Sequence, residues 1–209
     1  MSVSTASTQV LTAMSPADRV NLEKLAVLVV DSNLQSLDII GQVIMGFGIH
    51  HITKCQTVKE AKATVLGATF DFVLCDAQLP DEDGYAFLRW IRREAPAPNK
   101  YVAAVVVTGH TRISQVIKAR DCGAHFTVAK PITPAVLLQR IFWVSRDDRM
   151  FIDCEAYVGP DRRFRRLGPP PGVKGRRDGD LSAFVPDAKD ENMDQAYIDS
   201  LLKPAKVSL

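Results

Sequence analysis

Four apolar segments of the chain end on a polar residue that could take part in phosphoryl-group chemistry. These residues are Asp31, Asp76, Thr108 and Lys130. Carboxylates coordinate Mg²⁺ together with water and backbone carbonyls, and a carboxylate can itself be the nucleophile that accepts a phosphoryl group. A metal ion and a lysine neutralise the charge of that group, and a hydroxyl donates a hydrogen bond to one of its oxygens. The four residues form a candidate site if the fold brings them together.

Strand and helix patterns alternate five times along the middle of the chain. The predicted strands are 25–30, 51–55, 70–75, 101–108 and 125–129, and the predicted helices are 34–47, 57–67, 84–94, 112–122 and one capped by Thr133. This order predicts an α/β fold with a doubly wound, five-stranded parallel sheet, (βα)5, and several strands are apolar enough to be covered on both faces. Reactive groups in such a sheet collect at the carboxyl ends of the strands, so the four polar residues should meet at one edge.

Each of these residues alone also has an ordinary structural explanation. An Asp after a strand commonly caps a turn, a Thr at a strand end is a common β-former, and a Lys before a Pro is commonly a solvated loop residue. The combination, in order and on the right strands, favours the functional interpretation.

The segments that carry these residues resemble the receiver domain of response regulators in two-component signalling. The similarity covers residues 25–148 and rests on "VLVVDSN", "DFVLCDAQLPDEDG", "VVVTG" and "CGAHFTVAKP". The resemblance implies a flavodoxin-like receiver fold in which Asp76 accepts a phosphoryl group from a histidine kinase or a phosphotransfer protein. It also implies that Asp31 and Asp76 bind Mg²⁺, and that Thr108 and Lys130 act as the switch hydroxyl and the conserved lysine of the family.

The turn after Asp76 matches the same pattern. Pro80 and Gly84 correspond to the turn that presents the acceptor and lets the backbone carbonyl of Gln78 face the metal. By the same resemblance, the protein is expected not to be an enzyme but to signal by contact with a downstream protein. The contact face would be the fourth helix, the fifth strand and the fifth helix.

Three positions depart from the family pattern. Ser32 stands where the family has a second acid, Thr127 stands where it has an aromatic residue, and Gly109 replaces an Ala. Because hard cations gain affinity from ligand charge, Ser32 should weaken Mg²⁺ binding. Phe126, beside Thr127, should point to the opposite face of the sheet. A pseudo-receiver that acts as a scaffold without phosphorylation is therefore an alternative function.

Composition restricts the remaining choices. The chain has 209 residues, of which 46% are hydrophobic and 24% are charged, and its net charge of +2 does not favour a nucleic-acid partner. Its four Cys residues have no paired spacing, which favours reduced thiols over disulfides or a zinc site. No run reaches the length of a membrane span, and the N-terminus lacks the pattern of a signal peptide. We therefore expect a cytoplasmic protein.

Segments on both sides of the receiver-like region have a different character. Residues 1–24 are predicted to be an extension with a short helix in "SPADRVNLEKL", and residues 149–209 a basic, Pro/Gly/Arg-rich and mostly irregular tail. The tail is either a solvated linker or an anion-binding segment for a nucleotide or nucleic acid, with Arg162, Arg163, Arg165 and Arg166 as candidate ligands. "RRFRR" followed by "DLSAF" is similar in part to the cyclic di-GMP motif of PilZ domains, but the closing Gly is absent. No helix-turn-helix pattern follows residue 148.

Overall fold

The computed structural model describes residues 22–162 and residue 195. Within this part of the chain, five strands alternate with five helices and two short strands follow. The strands are β1 (Ala26–Val30), β2 (His51–Cys55), β3 (Phe72–Asp76), β4 (Ala103–Thr108), β5 (Phe126–Ala129), β6 (Phe151–Asp153) and β7 (Val158–Pro160). The helices are α1 (Leu34–Gly46), α2 (Val58–Gly67), α3 (Gly84–Glu94), α4 (Ile113–Asp121) and α5 (Pro134–Ser145).

The first five strands form one parallel sheet in the order β2-β1-β3-β4-β5. Along β1, Val27 and Val29 belong to the apolar cluster under α1 and α5, whereas Leu28 and Val30 belong to the cluster under α2, α3 and α4. Both faces of the sheet are therefore buried, which explains why the strand is apolar at every position. The predicted doubly wound (βα)5 fold is confirmed.

Polar side chains fix where four of the helices begin. Asn33, Thr57, Asp83 and Thr133 lie immediately before α1, α2, α3 and α5, and each accepts a hydrogen bond from a backbone amide in the first turn. Such a cap satisfies an otherwise unpaired helix amide and contributes about 1 kcal/mol. Pro134 follows Thr133 at the start of α5, as the sequence predicted.

Most predicted element boundaries differ from the observed ones by one or two residues. β3 includes Asp76 as its last residue, and β4 begins at Ala103 after a short 3₁₀ segment at Asn99–Tyr101. The predicted N-terminal helix is wrong at its end, because residues 22–25 form a turn in which the Leu25 amide donates to the Leu22 carbonyl at 3.2 Å. The rest of that helix lies outside the described residues.

A β-hairpin follows α5 where the sequence predicted the start of an irregular tail. β6 and β7 pair antiparallel, and the ring of Phe151 packs edge-on against Tyr101 with 4.9 Å between centroids. Lys100 forms an ion pair with Asp153 at 2.6 Å, and Arg92 lies 5.3 Å from the Phe151 ring. The hairpin therefore packs on the side of the sheet domain that carries Tyr101 and Lys100. The remainder of the predicted tail, apart from residue 195, lies outside the described residues.

The four cysteines differ in burial. Cys55, Cys75 and Cys122 are buried, Cys154 is exposed, and all four thiols are free. Burial raises the pKa of Cys122 to about 12, so this thiol stays protonated. Across the described ranges, no helix combines the length and apolar character needed to cross a bilayer.

Candidate functional site

The carboxyl ends of β1, β3, β4 and β5 bring the predicted site residues to one edge of the sheet. The parallel register pairs Val30 with Cys75 and Asp76 with Val107, so the residue after β1 lies level with the end of β3. Thr108 is likewise paired with Ala129, the residue before Lys130. The sheet itself thus places all four side chains together, as the strand order predicted.

Lys130 joins the two carboxylates. Its Nζ lies 2.5 Å from Asp76 Oδ2 and 2.9 Å from Asp31 Oδ2. Partial burial lowers the pKa of Lys130, but the hydrogen bonds with Asp76 and Asp31 outweigh this effect, so the pKa is raised above its usual value. The ammonium therefore carries its full charge between the two acids.

Asp31 is held in its ionised form by several donors. Its Oδ1 accepts the Asn33 amide at 2.9 Å, and its Oδ2 accepts the Ser36 hydroxyl at 2.7 Å in addition to Lys130. Burial raises the pKa of Asp31, but the bonds from Ser36, Asn33 and Lys130 outweigh it and lower the pKa overall. Sequence reasoning missed Ser36. The available signal was a hydroxyl in the first turn of a helix that begins directly behind Asp31.

Asp76 lies at the edge of the sheet, and each of its two carboxylate oxygens has a different polar partner. Its Oδ1 accepts the Gln78 amide at 3.1 Å, and its Oδ2 faces Lys130. The chain then turns sharply, because the Gly84 amide returns to donate to the Ala77 carbonyl at 3.1 Å. The side chain of Asp76 remains slightly accessible, at 10% exposure, so an incoming group can reach it.

Thr108 lies at the same edge, but its hydroxyl is engaged elsewhere. Its Oγ1 accepts the His110 amide at 3.0 Å and donates to the His110 carbonyl at 3.1 Å. Tyr85, which sequence reasoning missed, is buried on the first turn of α3. Burial raises the pKa of Tyr85.

The oxygen donors at this edge fit a hard divalent cation. The carboxylates of Asp31 and Asp76 meet at one ammonium, and the Gln78 backbone lies beside Asp76. Ser32 is exposed next to Asp31. Among residues 22–162 and 195, no group of three or more His, Cys, Asp or Glu side chains is arranged so that it could hold a metal ion. The site therefore supplies two carboxylates where three would bind a cation more tightly.

The family model for the response regulator receiver domain matches residues 27–142. The chain belongs to this family. Residues 27–142 form a response-regulator receiver domain of two-component signalling. Receiver domains bind Mg²⁺ at their phosphorylation site and interact with kinases or phosphotransfer proteins and with downstream effectors.

Curated relatives share the receiver region. The chain is 29% identical over 122 residues to Stress response regulator protein 1 of Candida albicans, a match that covers 56% of this chain and 43% of that protein. It is 26% identical over 115 residues to the chemotaxis protein CheY of Pseudomonas aeruginosa, which covers 55% of this chain and 91% of that one. The matched part of this receiver thus spans less than half of the Candida protein.

Solved structures agree with the fold. A receiver domain protein from Methanospirillum hungatei matches with a TM-score of 0.51 and 26% identity, covering 56% of this chain and 90% of that one. The chemotaxis response regulator CheY4 of Vibrio cholerae matches with a TM-score of 0.54 and 23% identity, covering 58% and 99% respectively, and this second likeness concerns the fold alone.

The departures of this receiver from the family pattern have structural counterparts. Thr127 is buried on β5, and Phe126 beside it packs against Trp143 with 5.5 Å between ring centroids. Phe126 belongs to the cluster under α1 and α5, as alternation along the strand predicted. The position that is aromatic in the family is therefore a small polar residue here, and its neighbour does not replace it.

Only the first of the four candidate arginines of the tail lies within the described residues. Arg162 Nη1 donates to Asp121 at 2.8 Å, and its guanidinium stacks on Tyr157 at 3.9 Å from the ring centroid. These contacts tie the end of the hairpin to α4. Arg163, Arg165 and Arg166 lie outside the described residues.

Proposed function

We propose that Asp76 accepts a phosphoryl group from the phosphohistidine of a histidine kinase or a phosphotransfer protein. The observation that carries this proposal is the contact of Lys130 Nζ with both Asp76 and Asp31. A shared ammonium between two acids at an accessible rim is an arrangement suited to a dianionic group, because the lysine is already in place before that group arrives. Asp76 is the acid with the more accessible side chain.

The transfer exchanges one bond for another. A carboxylate oxygen of Asp76 attacks phosphorus, the P–N bond to the donor histidine breaks, and the imidazole leaves with the electron pair of that bond. Bound Mg²⁺, held by Asp31, Asp76 and the Gln78 carbonyl, would supply further positive charge for the phosphoryl oxygens. Lys130 stays beside the new group, and Thr108 must release His110 before its hydroxyl can bond a phosphoryl oxygen.

The protein then acts by contact rather than by catalysis on a separate substrate. We place its partner on the surface formed by α4, β5 and α5, because Thr108 and Lys130 precede α4 and α5 in the chain and link that surface to Asp76. A cytoplasmic location accompanies this proposal, because the free cysteines suit a reducing compartment.

Intact mass after incubation with a small phosphodonor and Mg²⁺ tests the acceptor directly. The wild type should gain one phosphoryl group, and Asp76→Asn should gain none while keeping its circular dichroism spectrum, since the substitution preserves size and removes the nucleophile. Asp38→Asn is the matched control, because Asp38 is 68% exposed and pairs with Lys54 on the surface. Phosphorylation of Asp76→Asn at the wild-type rate would refute the assignment.

A scaffold that works without phosphorylation is the second candidate, and Ser32 favours it. Because Ser32 is exposed and neutral, the site binds a cation with two carboxylates only. If the wild type gains no phosphoryl group at saturating Mg²⁺ from either a small donor or a phosphorylated histidine protein, the scaffold is the better description.

A further inference from the structure

A residue near the C-terminus contacts the last strand of the sheet. The side chain of Gln195 accepts a hydrogen bond from the Ala129 amide at 2.5 Å through Oε1. Its Nε2 lies 3.4 Å from the Thr127 carbonyl, to which it donates. The two contacts join parts of the chain that are 66 and 68 residues apart in sequence.

The Gln195 side chain bonds the same two kinds of backbone group that a neighbouring β-strand would bond. β5 is the outermost strand of the five-stranded sheet, so one of its edges is not paired with another strand of that sheet. On such an edge, the carbonyl of one residue and the amide of the residue two further on point outward together. A carboxamide carries one acceptor and two donor hydrogens on adjacent atoms, so a single Gln satisfies both backbone groups. Neither Glu nor Met can do this.

The contact also lies next to the phosphoacceptor site. Ala129 precedes Lys130, whose amide donates to the Thr108 carbonyl at 2.8 Å and whose Nζ holds Asp76. A phosphoryl group on Asp76 would draw Lys130 and Thr108 toward new oxygens, so the end of β5 must adjust when the site is loaded. Gln195 binds the backbone of Ala129, which is the residue directly before Lys130.

We propose that the outer edge of β5 is a docking surface for the C-terminal segment of this same chain, anchored by Gln195, and that docking favours the unphosphorylated receiver. The second half of this statement rests on the proposed phosphorylation of Asp76. Because coupling between two sites is reciprocal, loading the site weakens docking to the same extent that docking weakens loading. Gln195 also covers part of the β5 edge within the surface formed by α4, β5 and α5, so a partner that binds β5 there must displace it.

Amide hydrogen exchange of the full chain, without any phosphodonor, tests docking. In Gln195→Met, which keeps the length of the side chain and removes both hydrogen bonds, the Ala129 amide should exchange at least about tenfold faster than in the wild type. The Val29 amide in β1 serves as an internal reference and should not change. Gln35→Met is the matched control, because Gln35 is exposed on α1. An unchanged Ala129 rate in Gln195→Met would overturn the docking proposal.

Gln195→Glu distinguishes protection by the two hydrogen bonds from steric shielding of the β5 edge by the side chain. Glu retains the acceptor for the Ala129 amide but offers only oxygen to the Thr127 carbonyl. The Ala129 exchange rate should therefore lie between those of the wild type and Gln195→Met. If the Ala129 amide exchanged at the same rate in the wild type and in both variants, the size of the side chain rather than its carboxamide would shield the β5 edge. That result would contradict the proposal that Gln195 anchors the segment.

Affinity for beryllofluoride, a phosphoryl mimic, tests the coupling. With Mg²⁺ present, Gln195→Met should bind it about threefold or more tightly than the wild type does, and saturation of the wild type should raise the Ala129 exchange rate. Equal affinities, together with the exchange result expected above, would leave docking in place and overturn its effect on the receiver. If beryllofluoride binds neither protein, the proposed phosphorylation and the coupling both fail, while the exchange experiment still decides docking.

Discussion

A Cβ atom at position 84 would lie 1.9 Å from the backbone carbonyl oxygen of Asp76. The chain leaves the end of β3, turns through Pro80 and begins α3 directly against the residue that carries the candidate acceptor. The absence of a side chain at Gly84 is what lets the two backbone segments approach so closely.

Gly84→Ala should therefore destabilise the receiver. The methyl group meets backbone rather than a movable side chain, so the free energy of unfolding should fall by at least about 2 kcal/mol in a urea titration. The rate of phosphorylation should fall as well, because Asp76 is displaced. Gly67→Ala is the control, since among the described residues no atom outside its own helix and chain neighbours lies within 4 Å of the added Cβ. A similar loss of stability in both variants would contradict the steric explanation.

Ser32→Asp should strengthen Mg²⁺ binding. A third carboxylate adds a full charge beside Asp31, and we expect the dissociation constant to fall about tenfold or more, equivalent to about 1.4 kcal/mol. The metal-free variant should be less stable than the wild type, because three carboxylates then repel one another. Titration of Mg²⁺ against amide shifts measures the change, and Ser32→Asn provides the same size without the charge. Equal affinities of Ser32→Asp and wild type would show that position 32 does not face the metal.

His125 should make the receiver less stable in mild acid. Its Nδ1 accepts the Ala104 amide at 3.1 Å, so the folded protein requires the neutral ring. Desolvation, supported by the charge of Arg92, holds the pKa of His125 well below its ordinary value of 6.5. The unfolded chain therefore takes up the proton first, and the stability contributed by His125 is present above pH 6.5 and is lost as the pH falls below it.

His125→Gln should flatten this pH dependence. Urea midpoints between about pH 7 and pH 5 should fall less steeply than in the wild type, where one such group contributes a slope of up to about 1.4 kcal/mol per pH unit. His51→Gln, on an exposed position of β2, is the control for the substitution itself. Parallel pH profiles for wild type and His125→Gln would rule out the ring as the titrating group.

Arg92→Lys should be strongly destabilising although the charge is kept. Arg92 is 1% exposed, and its guanidinium donates to the carbonyls of Gly123, Lys100 and Val102 at 2.8–3.0 Å. Burial lowers its pKa to about 10, so it remains charged at neutral pH. An ammonium cannot reach three separate acceptors with this geometry, and we expect a loss of about 2–4 kcal/mol.

The neighbouring Arg93→Lys is the control for that experiment. Arg93 is exposed and donates only to the Glu155 carbonyl, at 2.6 Å, among the contacts described for it. Chemical denaturation should show a change within about 0.5 kcal/mol for this variant. If both variants lost a similar free energy of unfolding, the hydrogen bonds of the buried Arg92 guanidinium would not be what stabilises the packing of β4 and the hairpin.

The sequence alone predicted the fold and the sheet edge at which the four candidate site residues lie. Apolar runs alternate with helical spacing, and parallel strands deliver their last residues to one edge, so Asp31, Asp76, Thr108 and Lys130 could be placed together without coordinates. Local chemistry was equally predictable, since the Thr133 cap and the turn before Gly84 depend on neighbours in the chain.

Only the tertiary structure decided contacts between residues that are distant in sequence. Two three-residue strands with Gly159 and Pro160 carry too little periodicity to predict a hairpin, and the hairpin packs its Phe151 ring against Tyr101, a residue distant in sequence. The hydrogen bonds of Gln195 to β5 likewise depend on which edge of the sheet lacks a strand neighbour. Such contacts depend on how the folded chain brings distant segments together, and local residue patterns do not specify this.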